Sequence, residues 1–335
     1  MTLFGYDPRF LLFEATALGV LAACVAHASR RPAEGGLPRR WHLAEIAFAF
    51  AFGLASEWVN VSVLHGYRFG RFALTIGPVP FAIPALWASI VYCAMLSSDR
   101  AGLPEAARPF ADALLAVLAD VAAEIVSVRL GFWTWDLHAP ARMWTAEWFG
   151  VPYVNFSGWL IVVGGTSAAA RILRRVATAR PAWRRRLALG ALPLALIVCE
   201  AVLYAANRHG FEATRAGRQT LPIVLAPMVL SAVVVTVSAP WARGARPLDG
   251  TVFGVAITGH ASVLVLGATP LADPPPAWVA VASAAAVAVL SAAWIASNRW
   301  EARRRARAVA LADAAPAACD GAVAEDAARA GESSF

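Results

Sequence analysis

The chain has 335 residues, 59% of them hydrophobic and only 15% charged, and its mean hydropathy is +0.59. Soluble domains carry about 25% charged and about 45–50% apolar residues, so a soluble globular domain is excluded, as are a disulfide scaffold, a coiled coil and, outside the last few dozen residues, intrinsic disorder. The formal charge of +7 comes from 29 basic residues, all of them arginine, and these flank apolar runs where membrane topology accounts for them better than nucleic-acid binding does.

In chain order, apolar runs predict nine membrane-spanning helices: residues 10–28, 42–63, 80–97, 110–128, 153–172, 187–206, 220–239, 250–269 and 276–297. Each is near the length a helix needs to cross about 30 Å of hydrocarbon at about 1.5 Å per residue. The first run ends Ala26-His27-Ala28, as a signal peptide would. The stretch before it pairs Asp7 with Arg9 and has no basic cluster, so it reads as a retained helix. Loops 29–41, 98–109, 171–186 and 240–249, with segment 298–309, hold 20 of the arginines. The alternate side holds 8: Arg9, Arg68, Arg71, Arg129, Arg142, Arg208, Arg215 and Arg218. The positive-inside rule then places the N-terminus outside and the C-terminus inside. The fold class expected is an all-α polytopic bundle, with an integral membrane helical domain over 1–298. Residues 299–335 read as a basic juxtamembrane segment and a disordered cytoplasmic tail. Cys24, Cys93, Cys199 and Cys319 form no CxxC pair, so no metal centre is expected.

Charged residues inside a span cost at least about 2.5–3.5 kcal/mol each. The candidates are Glu14, Glu45, Glu57, Asp112, Asp120, Glu124 and Glu200. Asp120 and Glu124 are four apart and share a helix face, and Asp112 lies eight before Asp120, close to that face. Two like charges so close in low dielectric cannot both ionise comfortably, so one carboxyl should hold its proton, as general acid–base chemistry requires. Neutralisation by Arg129 or Arg71, in a purely packing role, is the alternative. Glu57, Asn60 and His65 form a second polar group that runs into Gly66-Tyr67-Arg68-Phe69-Gly70-Arg71-Phe72. An interfacial aromatic belt with its arginines at headgroup level would look similar. The third feature is Arg129-Leu130-Gly131-Phe132-Trp133-Thr134-Trp135-Asp136, followed by Trp144, Trp148, Asn155, Phe156 and Trp159. This connection is packed with aromatics and reads as a re-entrant or interfacial lid whose apolar wall suits a polyene or lipid tail. The sequons at Asn60 and Asn155 sit at span edges and read as polar helix residues.

At these residues the sequence resembles a family, the carotenoid biosynthesis membrane proteins of the bisanhydrobacterioruberin hydratase and γ-carotene 1′,2′-hydratase type. The resemblance rests on Glu57-Trp58, on Gly66 to Phe72, and on Gly77-Pro78-Val79-Pro80 with Pro84 and Trp87. It continues through Asp120, Glu124, Val128 to Trp135 and Gly150 to Trp159. It covers about residues 45–172. Two departures stand out: Glu124-Ile125 where the family typically has Asp-Pro, and Tyr153-Val154-Asn155-Phe156 where it has Leu-Ser-Asn-Phe-like residues.

The resemblance implies hydration of the terminal 1,2 double bond of an acyclic carotenoid in a bacterial cytoplasmic (inner) membrane. Such a hydro-lyase needs an acid, a wall that stabilises a carbocation, and one admitted water. Asp120, Glu124 and Glu57 are the expected catalytic residues. Asn60, Tyr67, Arg68, Phe69, Arg71, Arg129, Phe132, Trp133, Trp135, Asn155 and Trp159 are the expected substrate-binding residues. No dinucleotide loop or metal cluster is evident in the sequence, so no cofactor is expected. The expected partners are the polyene substrate, the bilayer and other membrane enzymes of the pathway. A carotenoid end-group cyclase or isomerase would use the same protonation, and a non-enzymatic carotenoid or lipid carrier would use the same aromatic groove.

Overall fold

The computed structural model describes residues 5–31, 40–136, 147–179, 184–213, 220–243, 246, 249–270 and 274–292, with isolated positions from 295 to 306. Two compact units divide the chain, Met1–Leu290 and Ser291–Phe335, and the helical bundle occupies the first. The expected juxtamembrane segment and tail fall almost wholly outside the described residues, as do Trp144 and Arg142.

Nine long helices form among the described residues, one for each apolar run. They are α1 (Pro8–Arg30), α2 (Arg40–Ser62), α3 (Ala82–Arg100), α4 (Arg108–Arg129), α5 (Tyr153–Ala179), α6 (Arg184–Ala213), α7 (Thr220–Ser238) and α8 (Gly250–Gly267), with α9 over Ala277–Ala292. Local signals set several boundaries. Asp7 caps α1, its carboxylate accepting the Arg9 N–H at 2.9 Å ahead of a first-turn proline. Asp249 does the same for α8 through the Thr251 N–H at 2.8 Å. Each cap satisfies one of the donors a helix N-terminus leaves free.

Four helix segments, Pro8–Arg30, Ala82–Arg100, Asn155–Thr178 and Gly250–Gly267, are long and apolar enough to cross a membrane. Leu118, Ile172, Leu194, Ile197, Val233 and Val265 are more than half exposed or close to it on the outside of the bundle. Such an apolar exterior points to a membrane protein, since lipid rather than water would cover it without cost. Inside, α4 packs on α5, α2 on α3, and α1 against α3 and α8.

Three short antiparallel ribbons close one end of the bundle. β1 (Tyr67–Phe69) pairs with β4 (Trp133–Trp135) in the register Tyr67↔Trp135, Arg68↔Thr134 and Phe69↔Trp133. β2 (Thr75–Ile76) pairs with β3 (Val79–Pro80), and β5 (Glu147–Trp148) with β6 (Val151–Pro152). The first ribbon joins the two aromatic motifs, about 65 residues apart in sequence. Its approach is tight at Gly70, where a Cβ would stand 2.4 Å from the Gly131 carbonyl oxygen and 2.7 Å from the Phe10 ring. Only glycine fits there.

At the opposite end a buried ion-pair network fastens α2, α3, α4 and α5. Arg171 donates to Asp99 at 2.5 Å, Asp112 at 2.9 Å and the Ser98 hydroxyl at 2.8 Å. Arg174 bonds Asp99 at 2.7 Å and both oxygens of Glu45, and Arg108 reaches Asp99 at 2.9 Å. Arginines 171 and 174, counted from sequence among the loop charges, therefore belong to the packing of α5.

Candidate active site

Three carboxyls, each nine-tenths or more buried, converge on one cavity beneath the β1–β4 ribbon. Glu57 comes from the C-terminal part of α2, and Asp120 and Glu124 from adjacent turns of α4. The cavity has a volume of about 130 Å³, and its other walls are mainly aromatic and aliphatic, from Phe13 on α1 to Trp159 on α5, with Ser127 and Asn155.

Each carboxyl has its own donors. Glu57 accepts the indole N–H of Trp87 at 2.8 Å and the hydroxyl of Tyr67. Glu124 accepts two indole N–H groups on the same oxygen, Trp133 at 2.7 Å and Trp135 at 3.0 Å. Asp120 accepts the Asn155 side-chain amide at 3.0 Å through Oδ2. Among the described residues Asp120 has this one neutral amide donor, and Glu124 receives both of its donors on Oε1. The aromatic faces are ordered as well: Trp87 and Trp159 stack with ring centroids 4.1 Å apart and planes at 8°, and Tyr67 meets Trp135 edge-on at 4.6 Å.

Strand geometry decides which motif residues enter this cavity. Side chains alternate across a ribbon, and directly paired residues share a face. Tyr67, Phe69, Trp133 and Trp135 therefore turn to the cavity together. Arg68 and Thr134, on the other face, are exposed. Arg71 is exposed too, its guanidinium 5.3 Å from the Tyr6 ring centre. Asn60 donates to the Ser56 carbonyl of its own helix at 3.0 Å. Arg129 is half-buried, and Phe132 is fully buried among Phe10, Phe13 and Phe72. None of the expected binding residues Asn60, Arg68, Arg71, Arg129 and Phe132 lines the cavity. His65 is exposed at the end of the loop leading to β1.

The remaining acids have other partners. Asp112 stands about 80° around α4 from Asp120, because eight residues overshoot two turns. It faces Arg171 and accepts the Ser167 hydroxyl at 2.5 Å. Glu45 accepts the Trp41 indole at 2.9 Å as well as Arg174. Glu14 accepts the backbone N–H groups of Ala73 and Leu74 at 3.3 and 2.7 Å, which anchors the chain after β1. Glu200 lies on α6 beside the Ser56 hydroxyl, with one buried oxygen that has no hydrogen-bond partner among the described residues.

Sequence reasoning passed over Trp87 as a site residue, although it binds Glu57 and stacks on Trp159. Its position among apolar helix residues gave no sign of a polar partner 30 residues earlier. The contribution of α1 through Phe13, and of α3 through Ile83, Leu86 and Ile90, was equally silent, since apolar helix faces look alike whether they meet core or cavity. Part of the aromatic connection after α4, residues 137–146, lies outside the described residues; of the rest, Trp133 and Trp135 form the cavity roof.

Comparison with known proteins bears on the same residues. Over 200 residues the chain is 25% identical to bisanhydrobacterioruberin hydratase of Haloarcula japonica, a match covering 55% of this chain. It spans 59% of that relative's own length. No solved structure matches. Residues 9–233 match the family described as carotenoid biosynthesis protein. That range takes in every residue lining the carboxyl cavity, and it makes the chain a member of the carotenoid biosynthesis protein family.

Proposed function

We propose that this protein is a membrane enzyme that adds water across the terminal double bond of an acyclic carotenoid. The observation that carries the reading is the convergence of Glu57, Asp120 and Glu124 on one aromatic-walled cavity. Buried acids in an apolar bundle are costly, and here they surround a space rather than pairing with arginine. The distant likeness to bisanhydrobacterioruberin hydratase supports hydration as the reaction class.

In this reading Asp120 is the acid, because among the described residues it accepts a single neutral amide where Glu57 and Glu124 each accept two donors. The alkene π electrons take the Asp120 proton at C2, leaving a tertiary cation at C1. The indoles of Trp133 and Trp135, with the Trp87–Trp159 stack, face that charge; each cation–π contact contributes about 0.5–2 kcal/mol when desolvated. A water held by Glu124 adds to C1 and gives its surplus proton to that carboxylate. Asp120 and Glu124 lie one helical turn apart, so proton transfer between them resets the site. Glu57, fixed by Tyr67 and Trp87, positions the ribbon and the stack. The residues suffice for this sequence without a cofactor.

The nine helices are read as nine spans with the N-terminus outside and the C-terminus inside, in a bacterial inner membrane. The chain divides into a membrane domain over 1–298 and a cytoplasmic segment over 299–335. Other membrane enzymes of the pathway are the proposed partners.

The test is mass spectrometry of pigments from a lycopene-accumulating bacterial host, with and without this chain. A gain of one water, labelled in heavy-oxygen water, is expected, and its loss in Asp120→Asn. A product of unchanged mass with an altered spectrum would assign the protein to end-group cyclisation or isomerisation. Unchanged pigment together with retained polyene would leave a carrier.

A further inference from the structure

A second cavity, of about 310 Å³, lies between α1, α3, α4 and α8. It shares Phe13, Leu86, Ile90, Ala119, Ala123 and Ser127 with the carboxyl cavity, so the two spaces have a common wall. The α3 residues that line it follow the spacing of one helix face, starting at Leu86 and ending at Ser97. That stretch of α3 is about 16 Å long at about 1.5 Å per residue.

This wall is predominantly apolar, with His260 of α8 its one ionisable side chain other than Cys93 among the described residues. No aspartate, glutamate or arginine lines it among the described residues. The hydroxyls of Ser89, Ser97 and Ser262 are turned back onto carbonyls of their own helices, at 2.8, 2.7 and 2.8 Å. A hydroxyl bonded in this way presents little polarity to its surroundings. The result is a long apolar slot adjoining a small chamber that holds three carboxyls. Exposed Leu115 on α4 and exposed Gly259 on α8 belong to its margin, where a molecule dissolved in lipid could enter.

We infer that this second cavity seats the polyene chain of the substrate, with the chain's reacting end at Asp120 and Glu124, and that Ala256 and Gly259 on α8 set how much chain the protein accepts. The inference rests on the hydratase reading. Both α8 residues line the slot and not the carboxyl cavity, and both are small. A Cβ at Gly259 would meet nothing within 4 Å, so a larger side chain can be placed there without collision.

The experiment uses the full chain in detergent with two probes, lycopene and a shortened acyclic polyene with the same terminal group. Binding is read from the visible spectrum and hydration from product mass. Ala256→Phe and Gly259→Leu are compared with Val265→Phe, which lies on the same helix but points outward and is 57% exposed. The ratio of lycopene binding to short-polyene binding should fall by about tenfold or more in the two slot variants, the scale on which a filled apolar pocket discriminates. In Val265→Phe the ratio should stay at the wild-type value. An unchanged ratio in both slot variants, or an equal loss of the two probes in variants that keep the wild-type melting midpoint, overturns the proposal. If wild type binds both probes selectively and hydrates neither, the hydratase reading fails while the chain seat stands.

Discussion

Removing Arg171 should destabilise the bundle far more than removing the exposed arginine four residues later. Arg171 is 4% exposed and bonds Asp99, Asp112 and Ser98. In Arg171→Met, Asp99 keeps Arg108 and Arg174. Asp112, fully buried, keeps among the described residues only neutral hydroxyl partners, Ser167 and Ser98. Breaking a buried pair so that one charge is left uncompensated costs about 3–5 kcal/mol. At about 2–4 °C per kcal/mol for a large domain, the melting midpoint should fall by about 6–20 °C. Asp112→Asn should cost less, because Arg171 then retains Asp99 and Ser98. Arg175, whose side chain is 64% exposed in its pair with Glu105, should tolerate Arg175→Gln with little change, since water screens such pairs. The assay is thermal unfolding of the purified proteins in one detergent. Equal midpoints for Arg171→Met and Arg175→Gln, or a larger loss in Asp112→Asn than in Arg171→Met, would refute the packing role and return both arginines to a topological one.

Three further outcomes are expected. In the hydratase reading, Trp133→Phe and Trp135→Phe each leave Glu124 one indole donor, so each should lower hydration modestly; the double variant leaves a buried acceptor without either donor, at a cost of about 1–3 kcal/mol, and should fall by more than the product of the singles. Additive losses in product yield would show that the two donors do not share a role. Gly70→Ala should disrupt the β1–β4 ribbon through the Gly131 carbonyl contact, which proteolysis within residues 66–72 would detect. Asp249, held below the ordinary aspartate value by His27 and by the Thr251 N–H, contributes stability at neutral pH that disappears as pH falls below about 4; the gap in melting midpoint between wild type and Asp249→Asn should close over that interval, and a gap independent of pH would count against the cap.

The fold and the site were legible to different degrees. Apolar runs located the nine helices found among the described residues, four of them with segments long and apolar enough to cross a membrane, because a helix that must satisfy its own backbone in an apolar medium writes its length into composition. The four-residue spacing of Asp120 and Glu124 placed both on one face of α4, since helical periodicity is a local property. The same arithmetic failed eight residues back, where an 80° offset turns Asp112 to Arg171. Arginine counting assigned Arg171 and Arg174 to a loop, because composition cannot tell a charge in solvent from one bonded to a carboxylate on another helix.

What the sequence determined by itself is therefore the set of helices, the face of α4 that carries two acids, and the concentration of aromatics in two loops. Only the tertiary structure decided which acids share a cavity and which are neutralised. It pairs Tyr67 with Trp135 and Phe69 with Trp133, so the alternation of a ribbon sends Tyr67, Phe69 and the two tryptophans to the carboxyls and leaves Arg68 outside. It also brings α1 and α3 to the cavity through Phe13 and Trp87. The physical reason is range: periodicity and burial are written within a few residues, whereas the partner of a polar atom is fixed by contacts between segments far apart in the chain.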